Sequence, residues 1–143
     1  MDVKIKTVNG GKLPTYESAG AAGADCYARV DERIVLKAGK QVTIPLGFAV
    51  EVPEGYEMQI RARSGNARKY GIGVVNGVGT IDSDYRGEVC TILINHSDED
   101  FEINPGDRVA QAVIAPVIQA KWIESDELSE TVRGEGGFGS TGK

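Results

Sequence analysis

The feature that most constrains the fold is a succession of short runs in which apolar and polar residues alternate. The runs are separated by turn-forming segments such as 53–55 and 104–107, which contain Gly, Pro, Asn or Asp. Alternation is typical of a strand with one buried face, whereas a helix needs apolar residues three and four positions apart. No segment keeps a helical spacing beyond two turns. Predicted strands therefore cover residues 3–8, 41–52 (broken at Pro45 and Gly47), 56–63, 88–96, 99–103 and 108–120.

Short strands with frequent turn signals are typical of a β-sandwich, a jelly roll or a barrel. One short helix is predicted from Gly65 to Tyr70, with Ser64 as its N-cap and Gly71 as its terminator. A chain of 143 residues fits a single domain. We expect residues 1–124 to form the body. Residues 125–143 are polar and glycine-rich, so we expect a mobile arm without a core of its own.

Charge and hydrophobicity exclude several classes of partner. The net charge of −5 argues against a nucleic-acid or anionic-membrane surface, because such surfaces need an excess of Lys and Arg. No run of ~18 apolar residues is present to span a membrane. The first ten residues indicate a strand and not a signal peptide, so the cytoplasm is the default location, with an organelle or the nucleus left open.

Cys26 and Cys90 form no CxxC pair and are interpreted as buried free thiols. His96 is the only histidine.

Glycines cluster in residues 19–25, 71–79 and 134–142. Such segments let the main chain approach a ligand closely. With its two flanking residues, the last segment (133–143) carries hydroxyl groups at Ser140 and Thr141 and cationic groups at Arg133 and Lys143, a composition that suits phosphate. It lacks the GxxxxGK[ST] spacing of a Walker A loop. A glycine-rich terminus without a site is the alternative, but Phe138 has no core to enter and favours stacking on a planar group such as a base.

Two other polar segments are candidate sites. Arg63, Ser64 and Gly65 stand where a strand is predicted to meet a helix, and free amide groups beside an Arg suit an anion. An ordinary helix cap is the alternative. Asp82 and Asp84 flank a turn, and alternation would place both carboxylates on one face. A carboxylate there could orient and deprotonate a water molecule. An Asp-rich turn without chemistry is the alternative.

Single residues near these segments are less specific. Asp25 ends a glycine run and is interpreted as a turn residue, with a metal-related or substrate-side carboxylate as the alternative. Gln111 could reach a ligand from the last long strand. Asp107 and Arg108 are predicted to form a structural ion pair.

In their order along the chain, five of these segments resemble the motifs of the homotrimeric dUTP diphosphatase (dUTPase) family. They are AGADCYA (22–28), RSGNARKYGI (63–72), GVGTIDSDYRGE (77–88), GDRVAQAVI (106–114) and RGEGGFGSTG (133–142). The resemblance covers essentially the whole chain. Three positions depart from the usual pattern without removing a reactive group: Ala62 replaces a Pro, and Asn66 and Cys26 each replace a Leu.

The resemblance implies an all-β fold, a distorted jelly-roll β-barrel that forms a homotrimer. Its active sites lie between subunits and are closed by C-terminal arms. The implied activity is Mg2+-dependent hydrolysis of dUTP to dUMP and pyrophosphate. That activity limits uracil incorporation into DNA and supplies dUMP for dTMP synthesis. Mg2+ would be held mainly by the triphosphate and water, with no direct protein ligand and with Asp25 acting through water.

The resemblance also assigns roles to residues. Asp82 would be the general base. Uracil would be bound by the main chain of a hairpin at 73–81 together with the Asn76 side chain. Tyr85 would exclude a 2′-hydroxyl. Phe138 would stack over the uracil once the arm closes. The implied phosphate-binding residues are Arg63, Ser64, Gly65, Gln111, Arg133, Ser140 and Thr141, and the implied uracil and deoxyribose residues are Asn76, Gly79, Ile81, Tyr85 and Phe138.

Three alternatives remain, of which the first is also an enzyme. A dCTP deaminase shares the fold that the resemblance implies. A dUTPase-like regulatory protein would act through protein contacts alone. A nucleic-acid-binding β-barrel is disfavoured by the acidic balance and the few aromatic residues.

Overall fold

The computed structural model describes residues 1–140 and Gly142. Within this part of the chain it contains eleven β-strands and one α-helix. The elements are β1 (Lys4–Thr7), β2 (Ala24–Tyr27), β3 (Ile34–Leu36), β4 (Gln41–Pro45), β5 (Phe48–Glu51), β6 (Tyr56–Arg61), α1 (Ser64–Tyr70), β7 (Ile72–Val74), β8 (Gly79–Ile81), β9 (Cys90–Asn95), β10 (Phe101–Ile103) and β11 (Arg108–Pro116).

The strands pair in antiparallel fashion in four sheets. A four-stranded sheet has the order β2-β11-β6-β8, and a three-stranded sheet has the order β4-β9-β7. The other two sheets are the two-stranded pairs β1-β5 and β3-β10. Neighbours in a sheet are mostly distant in sequence, as in a jelly roll, and the predicted all-β distorted jelly-roll fold is confirmed.

The sheets enclose one apolar core. Phe48, Ile44 and Leu46 are completely buried at the junction of β4 and β5, and Ile60 and Leu93 face them from β6 and β9. Each such side chain contributes roughly 1.5–3 kcal/mol when fully buried. The predicted break at Pro45 and Gly47 separates β4 from β5, so the 41–52 run forms two strands in different sheets.

The helix follows the prediction at its end but not at its start. Gly71 adopts the left-handed conformation with φ of 66°, and its N–H bonds to the Ala67 carbonyl at 3.0 Å. The predicted N-cap at Ser64 is wrong, because Ser64 is already helical and Arg63, with extended backbone, is the N-cap. No side chain caps this helix start. The main-chain N–H groups of the first turn therefore remain available to a ligand.

Two strands, β2 and β3, were not predicted, and β7 and β8 were expected only as the two sides of a hairpin. Each has three or four residues, too few to display an alternation. In β2 the first three residues are all buried, so no alternation exists. Two predicted strands also extend too far, since β6 ends at Arg61 and β11 ends at Pro116.

Beyond Pro116 the described chain forms no further strand or helix. Its apolar side chains are at least four-fifths exposed at Ile118, Trp122, Ile123, Leu128 and Val132. Among all the described residues, α1 is the only helix. With seven residues it is too short to cross a membrane.

Candidate functional site

A cavity of about 270 Å3 opens between β8 and β9. β8 is the edge strand of the four-stranded sheet, and β9 belongs to the other large sheet. The ladder between β7 and β9 ends at the Val74–Leu93 pair, followed by one bond of 2.9 Å from the Val75 N–H to the Ile92 carbonyl. Beyond that point β9 runs without β7 beside it. The cavity therefore lies between two strand edges, where main-chain polar groups can bind a planar ligand.

The turn between β7 and β8 opens this gap. Gly77 has a positive φ of 72°, and its N–H bonds to the Val74 carbonyl at 3.0 Å. The hairpin predicted over residues 73–81 is wrong as a paired element, because β7 pairs with β9 and β8 pairs with β6. The two strands diverge because each completes a ladder in a different sheet. That divergence leaves room for a ligand.

Polar side chains rim the cavity. The Asn76 amide lies beside Gly79, where an added Cβ would be 3.6 Å from Asn76 Nδ2. The Tyr85 hydroxyl donates to the Glu88 carbonyl at 3.1 Å. Gly87 leaves space for the Tyr85 ring, which a Cβ at that position would overlap. The resemblance implies residues that bind uracil and deoxyribose and a residue that acts as the general base. All of them except Phe138 line this cavity: Asn76, Gly79, Ile81, Asp82 and Tyr85.

Asp82 and Asp84 both follow the end of β8 at Ile81. The residues from Asp82 to Val89 belong to no strand, so strand alternation does not place the two carboxylates. Asp82 lines the 270 Å3 cavity and Asp84 does not. Both line a neighbouring cavity of about 850 Å3. Asp82 is exposed, so a water molecule can reach its carboxylate.

A second cluster forms around Asp25, which is 8% exposed. Its Oδ1 and Oδ2 accept hydrogen bonds from Arg63 Nε at 2.8 Å and Arg63 Nη2 at 3.2 Å. Arg108 Nη1 donates to Oδ2 at 3.1 Å. Glu17 lies 3.8 Å from Arg108, at the edge of the cluster. Two guanidinium groups thus share one buried carboxylate, and Glu17 is a second acidic group beside Arg108.

Gln111 joins this cluster from β11. It stands opposite Asp25 on β2 and Arg61 on β6 in the two ladders. Its Nε2 donates to the Ala62 carbonyl at 2.9 Å. Gly23 lies beside it, and a Cβ at that position would force the Gln111 amide to move. The structure therefore brings residues of three of the predicted motifs together at one end of the four-stranded sheet.

Arg108 is a member that the sequence analysis misassigned. The predicted Asp107–Arg108 pair is wrong: Asp107 Oδ2 accepts the Asn104 N–H at 2.8 Å and closes the 104–107 turn, whereas Arg108 turns to Asp25. Adjacent residues entering a strand point to opposite faces. That rule was the available signal that the two side chains would separate.

The arm residues lie apart from both clusters. Arg133 Nε donates to the Gly136 carbonyl at 2.8 Å, within the arm itself. Phe138 is fully exposed, and Ser140 is exposed as well. Thr141 lies outside the described residues. Within a single chain, the described arm residues therefore form no hydrogen bond with residues that line the cavity.

The two thiols differ in environment. Cys26 is completely buried, and burial raises the pKa of its thiol to about 12. Cys90 lines the cavity, and its pKa is also raised, first by burial and then by the nearby Glu88 carboxylate. Within the described residues no group of three or more His, Cys, Asp or Glu side chains is arranged to hold a metal ion.

Together the jelly roll, a cavity between two strand edges and a cluster of two arginines around Asp25 define an all-β protein with two neighbouring polar sites. The family model described as dUTPase matches residues 9–142. The chain belongs to the dUTPase family.

Two bacterial relatives match over 99% or more of their own length. The deoxyuridine 5′-triphosphate nucleotidohydrolase of Nautilia profundicola is 56% identical over 144 residues, covering 100% of both chains. The protein of the same name from Chlamydia pneumoniae is 53% identical, covering 99% of each. Among solved structures, the dUTPase of Staphylococcus bacteriophage 80alpha with dUPNHPP superposes with a TM-score of 0.89 at 26% identity, covering 99% of both chains.

Proposed function

We propose that this chain is a dUTP diphosphatase, which hydrolyses dUTP to dUMP and pyrophosphate. The observation that carries the proposal is the cavity between β8 and β9, which gathers Asn76, Asp82 and Tyr85 in a member of the dUTPase family. In a cell this reaction limits uracil incorporation into DNA and supplies dUMP for dTMP synthesis.

Uracil is bound by the edge of β8 and by the Asn76 amide. Gly79 lets the base approach the main chain, because a side chain there would crowd Ile60 at 3.3 Å. Cytosine presents an amino donor where uracil presents a carbonyl acceptor. It would therefore leave buried groups unpaired, at roughly 1–3 kcal/mol for each group. Apolar side chains of Ile60 and Val74 line the cavity. In the proposed binding mode thymine is rejected because its methyl group would overlap the cavity wall.

Tyr85 selects the deoxyribose. Its ring is fixed by the hydroxyl bond to Glu88 and by the space at Gly87. A rigid aromatic face beneath the sugar excludes a 2′-hydroxyl, so UTP is rejected by steric overlap.

Asp82 is the general base. Its exposed carboxylate at the end of β8 orients a water molecule and accepts its proton. The water oxygen forms a bond to the α-phosphorus as the bond from that phosphorus to the bridging oxygen breaks. The electron pair of the broken bond leaves on pyrophosphate. Positioning supplies most of the rate gain, because a carboxylate is a weak base.

The triphosphate is bound by the cluster around Asp25. Asp25 orients the guanidinium groups of Arg63 and Arg108 and disperses part of their charge. The free N–H groups at the start of α1 add donors at Ser64 and Gly65. Gln111 offers its amide from the adjacent strand, and Arg133, Ser140 and Thr141 complete the binding when the arm closes.

Mg2+ fits this site as an ion held mainly by phosphate oxygens and water. When bound, it neutralises the charge on the departing pyrophosphate. The described residues offer no metal-ligating cluster, and both oxygens of Asp25 already accept guanidinium hydrogen bonds. Asp25 would contribute through a water molecule, and a hard cation with few protein ligands would suit this arrangement.

The active form is a homotrimer with shared sites. Residues 1–124 form the barrel, and residues 125–143 form an arm that closes a site. Trp122 and Ile123 are more than four-fifths exposed in the single chain. Exposed apolar residues in a contiguous segment indicate a surface that another chain covers. No hydrogen bond or ion pair of the described residues joins Asp82 to the Asp25 cluster, so neighbouring subunits can supply the two halves of one site.

The test is pyrophosphate release from dUTP, dCTP, dTTP and UTP, each with and without Mg2+. We expect release from dUTP alone, at a much higher rate with Mg2+. Ammonia release from dCTP would identify a deaminase. A folded trimer that turns over none of the four nucleotides would favour the regulatory protein. Size-exclusion chromatography with light scattering tests the trimer.

A further inference from the structure

Thr91 carries an unpaired hydroxyl in the wall of the cavity. The residue lies on β9, is 1% exposed and lines the 270 Å3 cavity. Its Oγ1 is the only buried side-chain nitrogen or oxygen atom without a hydrogen-bond partner among the residues that the structure describes. Burial without a partner disfavours the folded state, so such a group needs an explanation.

The neighbouring polar residue on the same strand face shows the contrast. Thr91, Leu93 and Asn95 are the buried residues of β9. Asn95 is completely buried, and its Nδ2 donates to the carbonyls of Leu36 at 3.1 Å and Glu99 at 2.7 Å. Its Oδ1 accepts the Ser97 N–H at 3.0 Å. The inner face of β9 therefore satisfies its other polar side chain fully.

None of the described residues forms a hydrogen bond with this hydroxyl. Ile60 and Val74, which share the cavity wall with it, are apolar, and Ile44 stands opposite it in the ladder with β4. A valine would fill the same space without an unpaired polar atom. The hydroxyl is thus a liability for stability unless the cavity is filled by a polar ligand.

We propose that the Thr91 hydroxyl is a base-binding group, which donates a hydrogen bond to a uracil carbonyl oxygen when the cavity is filled. The bond is direct or passes through one water molecule enclosed beneath the base. This inference rests on the proposed function and adds a residue to the base site. A hydroxyl can also rotate to accept a bond, so Thr91 strengthens binding of the base more than it separates uracil from cytosine.

The test uses the full-length protein, dUMP as the probe and two substitutions. dUMP lacks the pyrophosphate, so its affinity reports the base and sugar site. Thr91→Val keeps the shape and removes the hydroxyl, and Thr91→Ser keeps the hydroxyl and removes a methyl group. By calorimetry we expect Thr91→Val to bind dUMP about fivefold to tenfold more weakly than the wild type. We expect Thr91→Ser to stay within about threefold.

Thermal unfolding of the unliganded variants gives a second readout. We expect Thr91→Val to be at least as stable as the wild type, because it removes an unpaired buried hydroxyl. A markedly lower midpoint would mean that the hydroxyl has a partner within the protein and would overturn the inference. Wild-type affinity in Thr91→Val would also overturn it, as would equal losses in both variants, which would indicate packing alone.

Failure of this inference is distinguishable from failure of the proposed function. If the wild type releases pyrophosphate from dUTP and Thr91→Val binds dUMP normally, only the role of Thr91 is refuted. If the wild type neither binds dUMP nor hydrolyses dUTP, the proposed function is refuted, and the role of Thr91 with it.

Discussion

Asp25 and Arg63 form a two-point ion pair, in which Nε and Nη2 of the arginine donate to the two carboxylate oxygens at 2.8 and 3.2 Å. The carboxylate lies on β2 and the guanidinium precedes α1, so the pair joins segments 38 residues apart in sequence. Both side chains are largely buried, at 11% and 24% exposure. The pair therefore fixes the direction of a cationic group that we assign to the phosphates.

Replacing Asp25 by Asn tests this relationship. Two guanidinium groups would lose their carboxylate, so we expect a loss of roughly 1–3 kcal/mol in the free energy of unfolding, at the lower end because Arg63 keeps some solvent contact. We also expect KM for dUTP to rise about tenfold, since a misdirected group binds its target poorly. Urea denaturation and steady-state kinetics measure the two effects.

Asp31→Asn is the matched control. Asp31 also pairs with an arginine, Arg29 at 2.9 Å, but its side chain is 85% exposed. Exposed pairs contribute little, so we expect a change below about 0.5 kcal/mol and unchanged kinetics. Equal destabilisation by both substitutions would show that the burial of Asp25 has no consequence.

Asp82→Asn should leave nucleotide binding near normal and lower kcat by about 10²–10⁴. The amide keeps the size of the side chain and removes its ability to accept the proton of water. Single-turnover hydrolysis of dUTP and binding of a non-hydrolysable analogue separate the two effects. Asp84→Asn is the control, because Asp84 lies outside the smaller cavity, and we expect wild-type turnover. Unchanged turnover in Asp82→Asn would remove Asp82 as the base.

Tyr85→Ala should relax the rejection of UTP. Removing the ring opens space for a 2′-hydroxyl, so we expect the ratio of kcat/KM for dUTP over UTP to fall by about tenfold or more. Gly87→Ala should act in the same direction, because the added Cβ would displace the Tyr85 ring. Tyr85→Phe keeps the ring and loses only the bond to Glu88, so its ratio should stay near the wild-type value. Undiminished discrimination in Tyr85→Ala would contradict the steric role.

Deleting residues 133–143 should leave a folded trimer with poor activity. The hydrogen bonds of described residues 133–140 stay within the arm, so its removal costs the barrel nothing and the thermal midpoint should be unchanged. We expect kcat/KM to fall by about 10²-fold or more, because closure excludes water and completes the site. Phe138→Ala should share part of this loss and Phe138→Trp should not. A fully active truncated enzyme would refute the role of the arm.

Alkaline pH should weaken the fold through Cys26. The pKa of its thiol is raised by burial from 9.0 to about 12, so the unfolded chain loses this proton at lower pH than the folded chain. The contribution of Cys26 to the free energy of unfolding is therefore complete below pH 9. It declines as pH rises from 9 towards 12, by up to about 1.4 kcal/mol per pH unit. Other groups titrate there as well, so the comparison is with Cys26→Ala. Parallel stability curves for the two proteins between pH 9 and 11 would contradict this assignment.

Local patterns predicted several elements because their causes are local. The 41–52 run alternates strongly, and its break at Pro45 and Gly47 shows in the sequence. The end of α1 follows from the ability of Gly71 to adopt a left-handed conformation. The strands β2 and β3 were missed because three or four residues carry too little periodicity. Their conformation is imposed by the ladders that they join.

The members of the site were named from sequence, but their arrangement was not. Order and residue type along the chain were enough to indicate Asp82, Tyr85 and Arg63, because the resemblance to the dUTPase family rests on motifs. The partner of Arg108 and the unpaired hydroxyl of Thr91 had no signal of that kind. Both depend on which strands lie beside one another.

The sequence by itself determined the fold class, the family and the residue types of the site. Alternation, turn chemistry and motif order can be recognised in the sequence because they depend on residues that are close together in the chain or on their order along it. Tertiary structure alone decided that β7 and β8 diverge into separate sheets and open a cavity, and that Asp25 holds two arginines. Strand pairing is a contact between distant segments, and its free energy depends on the whole assembly of ladders and not on any one run of residues.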